Sequence, residues 1–187
     1  MSAVLVSSAR REAIEALLWP PQKPGARPPS SVWAVLDLAR DPRIGQLLLT
    51  TKLESLSLYA GAPRELERVA PHIVEMLPGH GLLRQLIDEG WGRSWGVFVR
   101  IEDASLLRHH LRKFLKVRDA RGRSLLFRYY DPRVLRSYLP TCTPDELTQL
   151  FGPISHWLAE DAGGDSLIEF GRDRTGVLTR RALPLAN

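Results

Sequence analysis

Apolar positions along this chain switch repeatedly between a helical and a strand period. Residues 7–19 carry helical spacing: Ala9, Ala13, Ala16 and Leu17 fall on one side with Ile14 and Leu18 beside them, and Arg10, Arg11, Glu12 and Glu15 fill the other. Five prolines within residues 20–29 then form a semi-extended tether. Val32-Trp33-Ala34-Val35-Leu36-Asp37-Leu38 is a nearly continuous apolar run, the pattern of a strand buried on both faces. Asp41 and Pro42 open a helix to about Leu49, since the aspartate caps the free amides and the proline gives up no needed hydrogen bond. Strands are expected at 55–59, 70–77 and 95–101, with helices at 63–69 and 82–89 between them.

The second half continues the alternation. Asp103 is the expected cap of a helix reaching Lys116. Arg121-Gly122-Arg123 turns the chain into a strand over 125–130, most simply as a hairpin. Helices follow at 132–138 and 144–151, then short strands at 155–158, 167–170 and 177–180, the last two a hairpin across Arg174-Thr175-Gly176. The pattern predicts an α/β fold, a mixed central sheet covered by helices, with short C-terminal helices and a hairpin. It divides the chain into an N-terminal helix and Pro-rich linker (1–31), an α/β domain (32–153) and a short C-terminal extension (154–187).

The most specific local design is Phe127-Arg128-Tyr129-Tyr130-Asp131-Pro132-Arg133-Val134-Leu135. Asp131 caps a helix whose first turn holds Pro132, and Arg128 and Arg133 flank that one carboxylate. An internal clamp is the expected role of Asp131 and Pro132. In an extended strand Phe127 and Tyr129 point to one side, toward the core, and Arg128 and Tyr130 to the other. Arg128, Tyr130 and Arg133 are therefore candidate partner contacts.

Charge adds a second feature. Residues 100–136 hold eleven Lys and Arg against four Asp and Glu, while residues 137–187 are net negative. On the 103–116 helix, Ala104, Leu107, Leu111, Phe114 and Leu115 share the apolar face, and Arg108, His109, Arg112, Lys113 and Lys116 oppose it. Two readings stand: a solvated face with cations favoured at the helix C-terminus, or a basic ridge formed by Arg108, Arg112 and Lys113 that meets an acidic partner or nucleic acid.

Catalytic and metal signatures do not assemble. His109 and His110 are adjacent on a helix, roughly 100° apart, and cannot readily chelate one ion. There is no Gly-x-Ser-x-Gly elbow and no glycine-rich phosphate loop. Asp145-Glu146 sits where a helix start favours negative charge. No cofactor and no metal are expected, and Cys142, the lone cysteine, allows no intrachain disulfide. With no apolar run of membrane-spanning length and no signal-peptide order at the N-terminus, a cytoplasmic location is expected.

The order of several short motifs resembles the effector-chaperone (adaptor) family of bacterial type VI secretion, long catalogued as a domain of unknown function. The segments are Trp33-Ala34-Val35-Leu36-Asp37, Leu58-Tyr59-Ala60-Gly61, Val69-Ala70-Pro71-His72-Ile73, Trp95-Gly96-Val97-Phe98-Val99, His110-Leu111-Arg112-Lys113-Phe114 and Phe127 to Leu135. The likeness covers roughly residues 32–140, with His72 standing where the family has an aromatic. The tail beyond Pro153 is short, whereas such adaptors often carry a larger C-terminal lobe thought to select cargo. The resemblance implies a cytoplasmic, non-enzymatic adaptor that holds a protein effector (a toxin) and helps load it onto the VgrG spike. A nucleic-acid-binding module using residues 100–136 is the alternative, and a small hydrolase a weaker one.

Overall fold

A computed structural model describes residues 7–21, 30–59, 61, 63–118 and 121–185. The expected proline-rich tether falls mostly on residues 22–29, outside the described residues. The strands among the described residues are β1 (Ser31–Asp37), β2 (Ser55–Ser57), β3 (Pro71–Met76), β4 (Gly96–Ile101), β5 (Lys116–Arg118), β6 (Ser124–Leu126), β7 (Ile154–Glu160), β8 (Ser166–Arg172) and β9 (Leu178–Pro184). The α-helices among those residues are α1 (Ser8–Leu18), α2 (Pro42–Thr50), α3 (Arg64–Glu67), α4 (Gly81–Gly90), α5 (Leu107–Arg112), α6 (Pro132–Tyr138) and α7 (Pro144–Phe151).

Seven strands form one sheet in the order β2-β3-β1-β4-β7-β8-β9, and β5 and β6 form a separate two-stranded hairpin. The fold is thus α/β with a central helix-covered sheet, and every pairing in it is antiparallel. β1 sits between β3 and β4, which is why its sequence reads as an unbroken apolar run. Alternate residues of the inner strands of the seven-stranded sheet feed two cores. Val35, Val97, Val99, Ile101, Trp157, Ile168 and Phe170 pack on one face with α5, α6 and α7. Ala34, Leu36, Val74, Phe98 and Leu158 pack on the other with α1, α2 and α4.

Residues 154–185, set apart in the sequence as a short extension, are part of this body. β7 pairs with β4, and β8 and β9 follow, so the segment supplies three of the seven strands. The N-terminal helix is likewise integral, with Ile14 and Leu18 fully buried. Its last carbonyls, of Leu17 and Leu18, accept hydrogen bonds from the Arg100 guanidinium at 2.8 and 3.1 Å. Arg100 in turn pairs with Glu169 at 2.7 Å, and both side chains are buried.

Local chemistry sets most helix starts as the sequence predicts. Asp41 accepts the Arg43 amide at 2.9 Å, and Thr143 and Glu146 exchange bonds in a capping box. The 103–116 helix is the exception. The Asp103 carboxylate takes the Ser105 amide at 2.9 Å in a tight local turn, so the helix starts only at Leu107 and without a side-chain cap. At its other end, the amides of Lys113, Phe114 and Leu115 bond carbonyls three residues back, and the chain enters β5. His110 faces inward, with Nε2 bonded to the Leu150 carbonyl at 2.9 Å and the ring edge-on to Phe114. Gly152 has φ +47°, and a Cβ there would overlap the His110 ring, so this position needs glycine twice over.

Candidate partner-binding corner

The expected strand over 125–130 ends at Leu126. The Phe127 amide still bonds Leu115, and the Asp131 amide then closes a turn onto the Arg128 carbonyl at 2.9 Å. This turn cancels the alternation that was to place Tyr130 outward with Arg128. Tyr129 and Tyr130 are both buried, their rings edge-to-face at 5.5 Å. The Tyr129 hydroxyl donates to the Leu111 carbonyl at 2.8 Å, and Tyr130 shares a hydrogen bond with Tyr59. Burial raises both phenols well above their ordinary range. Tyr130 is therefore a core residue, not a surface contact.

The predicted clamp of two arginines on one carboxylate is replaced by two separate pairs. Asp131 caps α6 through the Arg133 amide at 2.9 Å and holds the Arg133 guanidinium at 3.0 and 2.6 Å. Burial pushes the Asp131 carboxyl upward, but the bonds from Arg133 outweigh it and leave the group below its ordinary value. Arg128 turns instead to Asp37 at the end of β1, some ninety residues earlier. Asp37 is 1% exposed, and its second carboxylate oxygen has no hydrogen-bond partner among the described residues. Pro132 sits buried in the first turn of α6 as expected.

The basic ridge is divided as well. Arg108 spends its guanidinium on the Ser57 carbonyl, at 3.0 and 2.9 Å, and so clips β2 to α5. Arg112 and Lys113 are exposed, as are Lys116 and Arg118 beyond them. None of these four makes an ion pair among the described residues. Beside Arg133 lies an open depression of about 640 Å³ between Phe127 and α6, lined by Val134, Ser137, Tyr138 and Thr141. Phe127 and Tyr138 stack edge-to-face at 4.6 Å on its floor.

Asp37 and Tyr59 are the parts of this corner that residue patterns did not single out. Their signal was a charged residue closing an apolar strand and a tyrosine one turn after another strand. The same signal, a charge inside an apolar run, also marked Arg100 and Glu169. Elsewhere, Glu160 is buried and accepts the Ser94 amide at 2.8 Å, holding the 91–94 turn. Cys142 points its thiol at the Tyr138 carbonyl, and burial raises its pKa. No group of three or more His, Cys, Asp or Glu among the described residues is placed to hold a metal ion. No helix among them is long and apolar enough to cross a membrane.

These features define a helix-covered antiparallel α/β domain with a charged strand-to-helix corner and an exposed basic surface. The chain belongs to the family described as domain of unknown function (DUF4123), which matches residues 32–149. No curated protein and no solved structure matches the chain.

Proposed function

We propose that this protein is a cytoplasmic, non-enzymatic adaptor that binds a type VI secretion effector and helps load it onto the VgrG spike. The observation that carries the reading is the ordered run of motifs from Trp33 to Leu135, which lies inside the matched family region. The surface supports it in kind. Arg112, Lys113, Lys116 and Arg118 are exposed cations that make no ion pair among the described residues, and Phe127, whose amide bonds Leu115 just before Lys116, lines an open, partly apolar depression. A partner that brings carboxylates and apolar side chains satisfies both.

The competing nucleic-acid reading draws on the same cations. Single-strand binders interleave them with exposed aromatic rings on which bases stack. Here no Phe, Tyr or Trp among the described residues is exposed, and the exposed large apolar side chains are all Leu or Val.

The test is co-expression with the products of the neighbouring genes, followed by affinity capture and mass spectrometry. A stoichiometric complex with one effector is the expected result. Tight, salt-sensitive binding of the protein to arbitrary DNA, with no captured protein, would replace the adaptor reading by the nucleic-acid one.

A further inference from the structure

The β5–β6 hairpin is an unfinished sheet. It has two strands of three residues, and all six residues are exposed. Val117, Leu125 and Leu126 are among the large apolar side chains left in solvent. A lone two-stranded hairpin is marginal in water, and a third strand or a covering element is what normally stabilises one.

The ladder shows which backbone groups are free. The Phe127 amide bonds the Leu115 carbonyl, which makes residues 115 and 127 a hydrogen-bonded pair. Two residues on, Val117 and Leu125 are the next such pair, directly opposite in the register. The backbone groups of Lys116, Arg118, Ser124 and Leu126 therefore point outward. No described element bonds the outer edge of either strand. β5 carries Lys116 and Arg118 on its edge, the usual device that keeps strands from pairing there. β6 carries Ser124 and Leu126 and has no such guard.

The two faces of the hairpin differ. Val117 and Leu125 continue the face of Leu115, which is buried, and Phe127, which floors the depression beside α6. Lys116 and Arg118 share the other face with Ser124 and Leu126. A strand added at β6 alternates between these faces: it meets Leu125 at one residue and Ser124 or Leu126 at the next, with Lys116 and Arg118 one strand further on, about 10 Å across and within reach of their long side chains.

The geometry points to the outer edge of β6 as a β-addition site for an extended, acidic–apolar alternating segment of a protein partner, continuing into the depression between Phe127 and α6. This assigns a surface to the cargo and rests on the adaptor reading. Main-chain bonds to Ser124 and Leu126 supply the pairing, Lys116 and Arg118 take the carboxylates, and Leu125 takes the apolar side chains.

The test titrates the full chain with a short peptide alternating glutamate and valine, followed by amide chemical shifts. The largest changes are expected at Ser124 and Leu126. Ser124→Pro removes an outward amide while leaving the Val117–Leu125 pair, and weakens binding roughly tenfold or more, equivalent to about 1.4 kcal/mol. Paired Lys116→Glu and Arg118→Glu substitutions, on exposed positions that leave the fold intact, do the same, and a lysine–valine peptide does not bind. No binding by the native chain, undiminished binding by these variants, or shift changes confined to other residues overturns the site. A protein that captures its effector from co-expression yet ignores the peptide keeps the adaptor reading and loses only this surface.

Discussion

Asp37 and Asp131 are two buried carboxylates that differ in how they are satisfied. Asp131 has both oxygens bonded by Arg133, whose side chain is 51% exposed. Asp131→Ala removes a helix cap worth about 1 kcal/mol, and the freed guanidinium can return to water. A modest loss of melting temperature is expected. Asp37 is more exposed to damage, because Arg128 serves one oxygen and the other has no described partner. Arg128→Ala strands that carboxylate; the guanidinium is 39% exposed, so the loss falls below the roughly 3–5 kcal/mol of a fully buried pair but exceeds that of the cap. The expected order in thermal melts is Arg128→Ala below Asp131→Ala; the reverse would return the main clamp to Asp131. The sequence made Asp131 legible because a cap and its proline are neighbours. It left Asp37 dark because its partner, Arg128, lies some ninety residues away in the turn before α6, and it misjudged Tyr130 because that same turn ended the alternation.

Histidine at the residue scale gives a pH dependence. Burial is the main cause that lowers the pKa of His72, His110 and His156. Their folded values lie below the unfolded one, so the unfolded chain binds more protons as pH falls. Stability from these groups is full above the unfolded pKa near 6.5 and is lost as pH drops through the folded values. Asp131 acts in the same sense at lower pH, while burial raises the Glu160 carboxyl and opposes it. Melting temperature is expected to fall between pH 7 and 5, and His110→Gln, which cannot protonate there, should flatten that fall. A slope unchanged in His110→Gln would assign the effect to the other histidines.

At the scale of elements, starts were more legible than ends. α6 and α7 begin and end where caps and prolines put them, because Asp131, Thr143 and Glu146 act within one turn of the helix. α5 is shorter than its amphipathic pattern because Asp103 satisfies its own turn first, and because the chain must leave the helix to make the hairpin. The docking of α1 was not readable either. It depends on Arg100 from β4 reaching the Leu17 and Leu18 carbonyls while paired with Glu169 from β8. Arg100→Ala leaves Glu169 buried with, among the described residues, the longer 3.4 Å ion pair to Arg181, and removes the Arg100 bonds to the end of α1. A loss of about 3–5 kcal/mol is expected, with faster amide exchange in α1 than in α7. Uniform exchange across the molecule would mean that the pair stabilises the sheet alone.

For the molecule as a whole, alternation of period predicted a helix-covered sheet, but strand order is set by pairings distant in sequence and was out of reach. The position of residues 154–185 follows from that order. The family match ends at residue 149, yet β4 has its second neighbour in β7, and Trp157, Ala159, Ile168 and Phe170 lie in the same core as Tyr129 and Leu135. The corner is therefore built on strands from both parts of the chain. Trp157 touches it directly, its ring edge-on to Tyr129 at 5.8 Å. A chain ending after Pro153 would expose one long edge of β4 and strip Ile154, Trp157, Ala159, Ile168 and Phe170 from that core, and unpaired apolar edges aggregate. It is expected to be insoluble or to lack a cooperative melt, whereas Leu183→Ser, on the outermost strand, should cost far less. A soluble, cooperatively melting 1–153 chain would show instead that the matched region folds alone and that β7 to β9 are added onto a finished domain.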